Sequence, residues 1–130
     1  MNLLKNKITC AKFFFLVYVG VLLSSCASSM SPVKLYNTLP DLTKAKFISQ
    51  SQLDNAIEKS GCKFLVKERE YTAPIGLTTK GDLKNGAKGI DEWVELDGGN
   101  AYVLTNYNWR TVDDLGSTQL QIEFDTMLCP

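Results

Sequence analysis

The chain of 130 residues contains no histidine. The commonest general base and metal ligand of protein sites is therefore missing. No Cys-x-x-Cys pair occurs, which removes the usual dithiol redox motif. Two thiols without an imidazole cannot complete a tetrahedral zinc site unless carboxylates join them. There is no Gly-x-Ser-x-Gly elbow, phosphate-cradling glycine loop or calcium loop. Asp97-Gly98-Gly99-Asn100 is too sparse in ligands for calcium and reads as a helix stop. The adjacent acids Asp91-Glu92 and Asp113-Asp114 do not converge on one substrate and read as solvated surface. No internal repeat or low-complexity segment is present. An excess of one charge is also absent, with 14 basic and 14 acidic residues. The chain thus has no electrostatic footprint for nucleic acid. These gaps set the expectation of a protein that is not an enzyme and carries no cofactor or metal.

What is present begins at the N-terminus. Lys5, Lys7 and Lys12 precede an eleven-residue apolar block, Phe13 to Leu23. The block is too short for a membrane-spanning helix, which takes roughly 20 apolar residues. A basic start, a short apolar core and small residues before a cut make an export signal. The block closes on Leu23-Ser24-Ser25-Cys26. This tetrapeptide resembles the lipobox of bacterial lipoproteins. The resemblance implies that the Cys26 thiol receives diacylglycerol and that residues 1–25 are removed. The alternative is an ordinary secretory signal cut near Ala27. In the enteric sorting rule, Asp after the lipidated cysteine retains a lipoprotein in the inner membrane. Ala27 is not Asp, so the resemblance implies the outer membrane, with the domain facing the periplasm.

Removal of the signal leaves 105 residues, enough for one small domain. It also removes three of the 14 basic residues and no acid, leaving a net charge of −3. No polybasic patch faces anionic lipid, so membrane attachment rests on the acyl chains. Residues 26–32 form a lipidated tether of small and polar residues. Its six residues after Cys26 span at most about 20 Å when extended. Of four cysteines, Cys10 leaves with the signal and Cys26 is assigned to lipid. Cys62 and Cys129 remain as an even pair in an exported chain, which predicts a disulfide.

Residues 33–130 read as a single domain. Val33 to Tyr36 reads as a first strand, Leu39-Pro40-Asp41 as a turn and Phe47-Ile48 as extended. Ser51 to Lys59 reads as a short helix capped by Ser51. Cys62 to Glu70 alternates as a strand, with Cys62, Phe64 and Val66 on one face and Lys63, Lys67 and Arg69 on the other. Glu68, Arg69 and Glu70 suggest a charged, exposed strand face. Asp82 to Asp97 is the main helix candidate. Leu83, Ala87, Ile90 and Val94 form one stripe, Thr79 to Asp82 fit a capping box, and Gly98-Gly99 end it. Gly86 and Gly89 weigh against it by about 1 kcal/mol each. Ala101 to Trp109 is rich in β-formers. Thr118 to Leu128 alternates cleanly, with Leu120, Ile122, Phe124 and Leu128 inward, as in a sheet with one wet face. Cys129 falls on the polar parity of its strand and Cys62 on the apolar parity of its own. The fold class is α+β: a small, largely antiparallel sheet with one main amphipathic helix on one face, stapled by the disulfide.

Tyr107 and Trp109 share a side of their strand with Val103 and Thr105. The burial habits of aromatics place them in the core against the helix; the sharper reading is a platform for a sugar or a partner protein. Trp93 falls off the helix stripe and is the best candidate for an exposed anchor.

Pro32-Val33-Lys34-Leu35-Tyr36, Asp82 to Ala87, Gly99 to Leu104 and the terminal Cys129-Pro130 together make a pattern. It resembles small proteobacterial lipoproteins of unknown function. It is more distantly similar to the outer-membrane sensor lipoprotein of the Rcs envelope-stress pathway. The resemblance implies a helix on a sheet, with a disulfide from the strand before the helix to the last strand. Cys62 and Cys129 match those positions. The Rcs sensor has a long Pro-rich basic tether and two disulfides, and this chain departs from it on both counts. The functional expectation is a membrane-anchored envelope lipoprotein that acts through contacts with an unidentified envelope protein, in sensing or assembly. The alternative is a small-ligand or glycan-binding periplasmic domain using Tyr107 and Trp109.

Overall fold

The computed structural model describes residues 32–130. The expected export signal, Cys26 and the expected tether up to Ser31 lie outside the described residues. The element order is α1 (Pro32–Leu42), β1 (Lys46–Phe47), a 3-10 turn (Gln50–Gln52), α2 (Leu53–Glu58), β2 (Lys63–Thr72), α3 (Thr79–Leu96), β3 (Ala101–Thr111) and β4 (Thr118–Leu128). The sheet order is β1-β3-β4-β2. β4 pairs antiparallel with both β2 and β3, and the two-residue β1 lies parallel to β3. This is the expected α+β class, with α3 packed on one face of a largely antiparallel sheet.

The first expected strand and turn are instead one helix. Val33 to Tyr36 and Leu39-Pro40-Asp41 all lie inside α1. Leu35, Leu39 and Leu42 recur at four and three residues, which is one helical stripe. Leu35 and Leu39 are fully buried and Leu42 packs beside them. That burial outweighs the strand-like look of a four-residue window. Pro40 sits in the last turn and leaves the Tyr36 carbonyl without its helical donor, a cost that the burial of Leu35 and Leu39 offsets. α1 packs against α3. Its end is fixed by Asp91, whose carboxylate accepts the Lys44 and Ala45 N–H groups at 2.9 Å.

The expected helix over Ser51 to Lys59 is split into a 3-10 turn that starts earlier, at Gln50, and α2, which starts later, at Leu53. Ser49 precedes the 3-10 turn and donates its N–H to Gln52 Oε1 at 3.4 Å, whereas Ser51 lies within that turn. α3 begins at Thr79 because Thr78 is its cap: the Thr78 hydroxyl accepts the Gly81 N–H at 3.1 Å. Asp82 instead reaches back and accepts the Gly76 N–H at 2.6 Å. At the other end Gly98 adopts φ +78°, the left-handed stop that the Gly98-Gly99 pair predicts. Gly86 and Gly89, which weighed against the helix, are where it touches the sheet. A Cβ on Gly89 would lie 2.0 Å from the Tyr71 ring, and one on Gly86 2.9 Å from Ile122 Cδ1. The propensity cost is exchanged for close packing.

Two cores result. The larger lies between the sheet and the helices α1 and α3, built on Leu35, Leu39, Leu83, Ile90, Tyr102 and Phe124. The smaller lies on the opposite face at one end of the sheet, where Ile48, Ala101, Val103 and Met127 surround the cysteines, with Leu53 and Ala56 of α2 against them. The sheet's second face is therefore wet over part of its length only. Leu128, expected inward, is 44% exposed, and its neighbour Met127 is buried in the smaller core.

Candidate functional site

Strand parity is reset three times, and this decides where each candidate side chain points. β2 carries two bulges against β4, between Phe64 and Val66 and between Val66 and Arg69. β3 carries one, between Leu104 and Asn106. A bulge adds one residue and turns the following side chains to the other face. Phe64 thus pairs with Met127 and packs on the smaller core, while Val66 pairs with Thr126 on the helix face. The second β2 bulge holds Glu68 at φ +55°, with its N–H donated to Asp125 Oδ1 at 2.8 Å.

Cys62 and Cys129 form the disulfide. Their opposite apparent parities come from treating Cys129 as solvent-facing. The face it shares with Met127 is covered at this end by the smaller core, so both cysteines are buried there.

Period-2 alternation places Arg69 with Lys63 and Lys67 on an exposed face. The bulge before it turns it under α3 instead. Its guanidinium lies 4.1 Å from the centroid of the Trp93 ring and pairs with the Asp97 carboxylate, which also accepts the Thr126 hydroxyl at 2.9 Å. Trp93 is therefore a half-buried stacking partner packed against the main core, not an exposed anchor.

Tyr107 and Trp109 do not share a side with Val103. The bulge at Thr105 carries them to the face of Ile122 and Leu120, opposite which they stand in register. Both pack against the main core, as the burial argument favoured. The Tyr36 ring of α1 meets Tyr107 edge-on at 5.7 Å. Burial raises the Tyr107 phenol above its ordinary pKa, with Tyr36 adding to it. Trp109 Nε1 is buried without a hydrogen-bond partner among the described residues.

Beyond the bulges, the part of the second face that the smaller core leaves uncovered carries two cross-strand rows of polar residues. Glu70, Glu123 and Asn106 stand in register across β2, β4 and β3, and Thr72, Gln121 and Asn108 form the next row. They line a cavity of about 230 Å³, to which Tyr71, Tyr107 and Ile122 also contribute. The Thr105 hydroxyl lies 3.5 Å from Glu123 Oε1. Amides and carboxylates in such a trough can hydrogen-bond hydroxyl or amide groups of a ligand. It includes no thiol and no imidazole. Alternation in β4 exposes Gln121 and Glu123 to a sequence reading, but the bulge at Thr105 hides that Asn106 and Asn108 join them.

Among the described residues, no helix is long and apolar enough to cross a membrane. No family model, curated protein or solved structure matches the chain.

Proposed function

We propose that this chain is an acylated lipoprotein of the bacterial envelope that works without catalysis, through contacts with other envelope proteins. The observation that carries the reading is the N-terminal run: three lysines, an eleven-residue apolar block and Leu23-Ser24-Ser25-Cys26. The Cys62–Cys129 disulfide supports it, because cystines persist in oxidising compartments outside the cytosol. Intact mass of the protein purified from bacterial membranes tests it. Cys26 carries diacylglycerol and residues 1–25 are gone; a free Cys26 thiol, or a chain cut elsewhere, overturns the reading. Fractionation of wild type against Ala27→Asp tests the outer-membrane assignment, with the variant moving to the inner membrane.

A second reading has its own support in the polar trough. Its paired amides and carboxylates suit a hydroxyl-rich ligand such as a cell-wall glycan. Tyr107 borders that trough while Trp109 does not, so the ligand would rest on Asn106, Asn108, Gln121 and Glu123 and not on an aromatic platform. Titration with cell-wall fragments, read by the chemical shifts of those four residues, decides it; unmoved shifts at millimolar fragment sink it.

A further inference from the structure

The domain has two unlike ends, and the chain's own tether selects one of them. Near the C-terminal end of α1, the Thr43 hydroxyl meets the Tyr102 hydroxyl at 3.1 Å. Seven residues earlier, Tyr36 meets Tyr107. Moving back along α1 therefore means moving forward along β3, and Pro32 points toward Thr111 and the β3–β4 hairpin. The loop between β2 and α3 lies at the same end. Thr72 is opposite Gln121, and the Ala73 N–H is donated to the Leu120 carbonyl, two residues from the start of β4. The disulfide, α2 and the C-terminus lie at the far end.

These two loops carry the most exposed apolar residues of the described chain. Leu77 is 104% exposed and Leu115 93%, with Ile75 and Val112 beside them in sequence and also exposed. The turn that displays Leu115 is built, not loose: the Asp113 carboxylate accepts the Leu115 and Ser117 N–H groups at 3.0 and 2.9 Å. Exposed apolar side chains gathered at one end of a domain mark a protein or membrane contact, whereas singly scattered ones do not. The charges near this end are mixed, with Lys80 and Arg110 exposed alongside Asp113 and Asp114.

From this placement we infer that the Ile75–Leu77 and Val112–Leu115 loops rest in the interfacial layer of the lipid bilayer that holds the protein's own N-terminus. The inference rests on the lipoprotein reading. Five residues separate Cys26 from Pro32 at the start of α1, a reach of at most about 20 Å. The end that α1 points toward is therefore held against the lipid surface. At that distance apolar loop tips gain by entering the interface, and the mixed charges make the contact insensitive to anionic lipid. The far end, with the disulfide and α2, faces away from the membrane.

The test uses the acylated protein reconstituted in phosphatidylcholine–phosphatidylethanolamine vesicles with brominated acyl chains. Leu77→Trp, Leu115→Trp and, at the far end, Leu96→Trp each add one indole at an exposed position. The added emission at 77 and 115 falls roughly twofold, that at 96 is unchanged, and adding phosphatidylglycerol alters neither result. Introducing Leu115→Asp alongside Leu77→Trp restores much of the lost emission. Intact mass of the same sample separates the two claims. Unmodified Cys26 overturns the anchor and this orientation together. Acylated Cys26 with unquenched indoles at 77 and 115, or with equal quenching at 96, overturns the orientation alone. So does a photocrosslink from position 77 to a protein and not to lipid.

Discussion

Gly89 and Tyr71 show how a single missing Cβ sets the distance between helix and sheet. The Tyr71 ring occupies the space a Gly89 side chain would need. Burial raises the Tyr71 phenol above its ordinary pKa, and Glu92 on the same helix adds to this. Gly89→Ala is expected to destabilise the protein by about 1–3 kcal/mol through overpacking. In a Tyr71→Ala background the obstacle is gone, and the same substitution stabilises by up to about 1 kcal/mol from helix propensity. Urea denaturation of the four proteins checks the change of sign; equal effects in both backgrounds defeat the argument. Tyr102 gives a prediction in pH. Burial pushes its phenol up to about 12, opposed by the hydrogen bond with Thr43 and aided by Asp91. The folded state therefore holds this proton more tightly than the unfolded chain, where tyrosine titrates near 10. The stabilisation is complete below about pH 10 and is lost as pH rises toward about 12. Wild type is expected to lose about 1 kcal/mol more than Tyr102→Phe between about pH 8 and about pH 11, measured as urea midpoints.

At the level of elements, the bulges do the work that a regular sheet cannot. β2 and β3 flank β4, and each must supply both cores from one strand. The extra residues near Leu65, Glu68 and Thr105 let Phe64 face the smaller core while Val66, Arg69 and Tyr107 face the larger. These are the features a reading of the sequence does not reach. Alternation from Leu120 to Phe124 is unbroken, so that part of β4 is legible residue for residue, whereas Met127 and Leu128 depart from it where the smaller core covers the second face. Leu83, Ala87, Ile90 and Val94 make α3 legible to within three residues. A bulge, by contrast, is fixed by the partner strand and by helix packing, and no local pattern around Glu68 announces it. Trp93 and Arg69 were misplaced for that reason. The polar trough was half visible, through Gln121 and Glu123. α1 is legible in principle, since Leu35, Leu39 and Leu42 are spaced for a helix, and the strand-like Val33–Tyr36 window and the Leu39-Pro40-Asp41 turn signal argue otherwise. The bulge at Glu68 is testable. A left-handed conformation costs a non-glycine residue about 1–2 kcal/mol, part of which glycine recovers. Glu68→Gly is expected to stabilise by about 0.5–1 kcal/mol. Asp125→Ala, which removes the acceptor of the Glu68 N–H, is expected to destabilise by about 1 kcal/mol and to shift Trp93 emission as Arg69 loosens. Thermal unfolding and fluorescence report both; an unchanged Trp93 spectrum in Asp125→Ala separates the bulge from the Arg69 stack.

For the whole molecule, the two cores differ in what holds them. The larger joins two helices to three strands around Tyr102 and Phe124. The smaller has six buried members, two of which are the cystine itself. Among the described residues its helix cover is the six-residue α2, too short to be stable on its own. The disulfide links positions 67 residues apart, so in the chain-entropy model it contributes roughly 4 kcal/mol through the unfolded state. It also ties the chain end, where the Asn100 side chain already pairs with both backbone groups of Cys129. Cys62→Ser with Cys129→Ser is therefore expected to act unevenly. Global stability falls by a few kcal/mol, and amide exchange quickens first in α2, at Ile48 and in the first residues of β2. The central β3–β4 amides, between Tyr102 and Ile122, remain the slowest. Hydrogen exchange of the oxidised protein and the double variant gives the comparison directly. Uniform acceleration across both cores would show one cooperative unit and remove the distinction. The expected order leaves the loops bearing Leu77 and Leu115 unaltered, because they lie at the opposite end of the sheet from the cystine. Loss of the disulfide should then weaken the domain without disturbing the end that carries those loops.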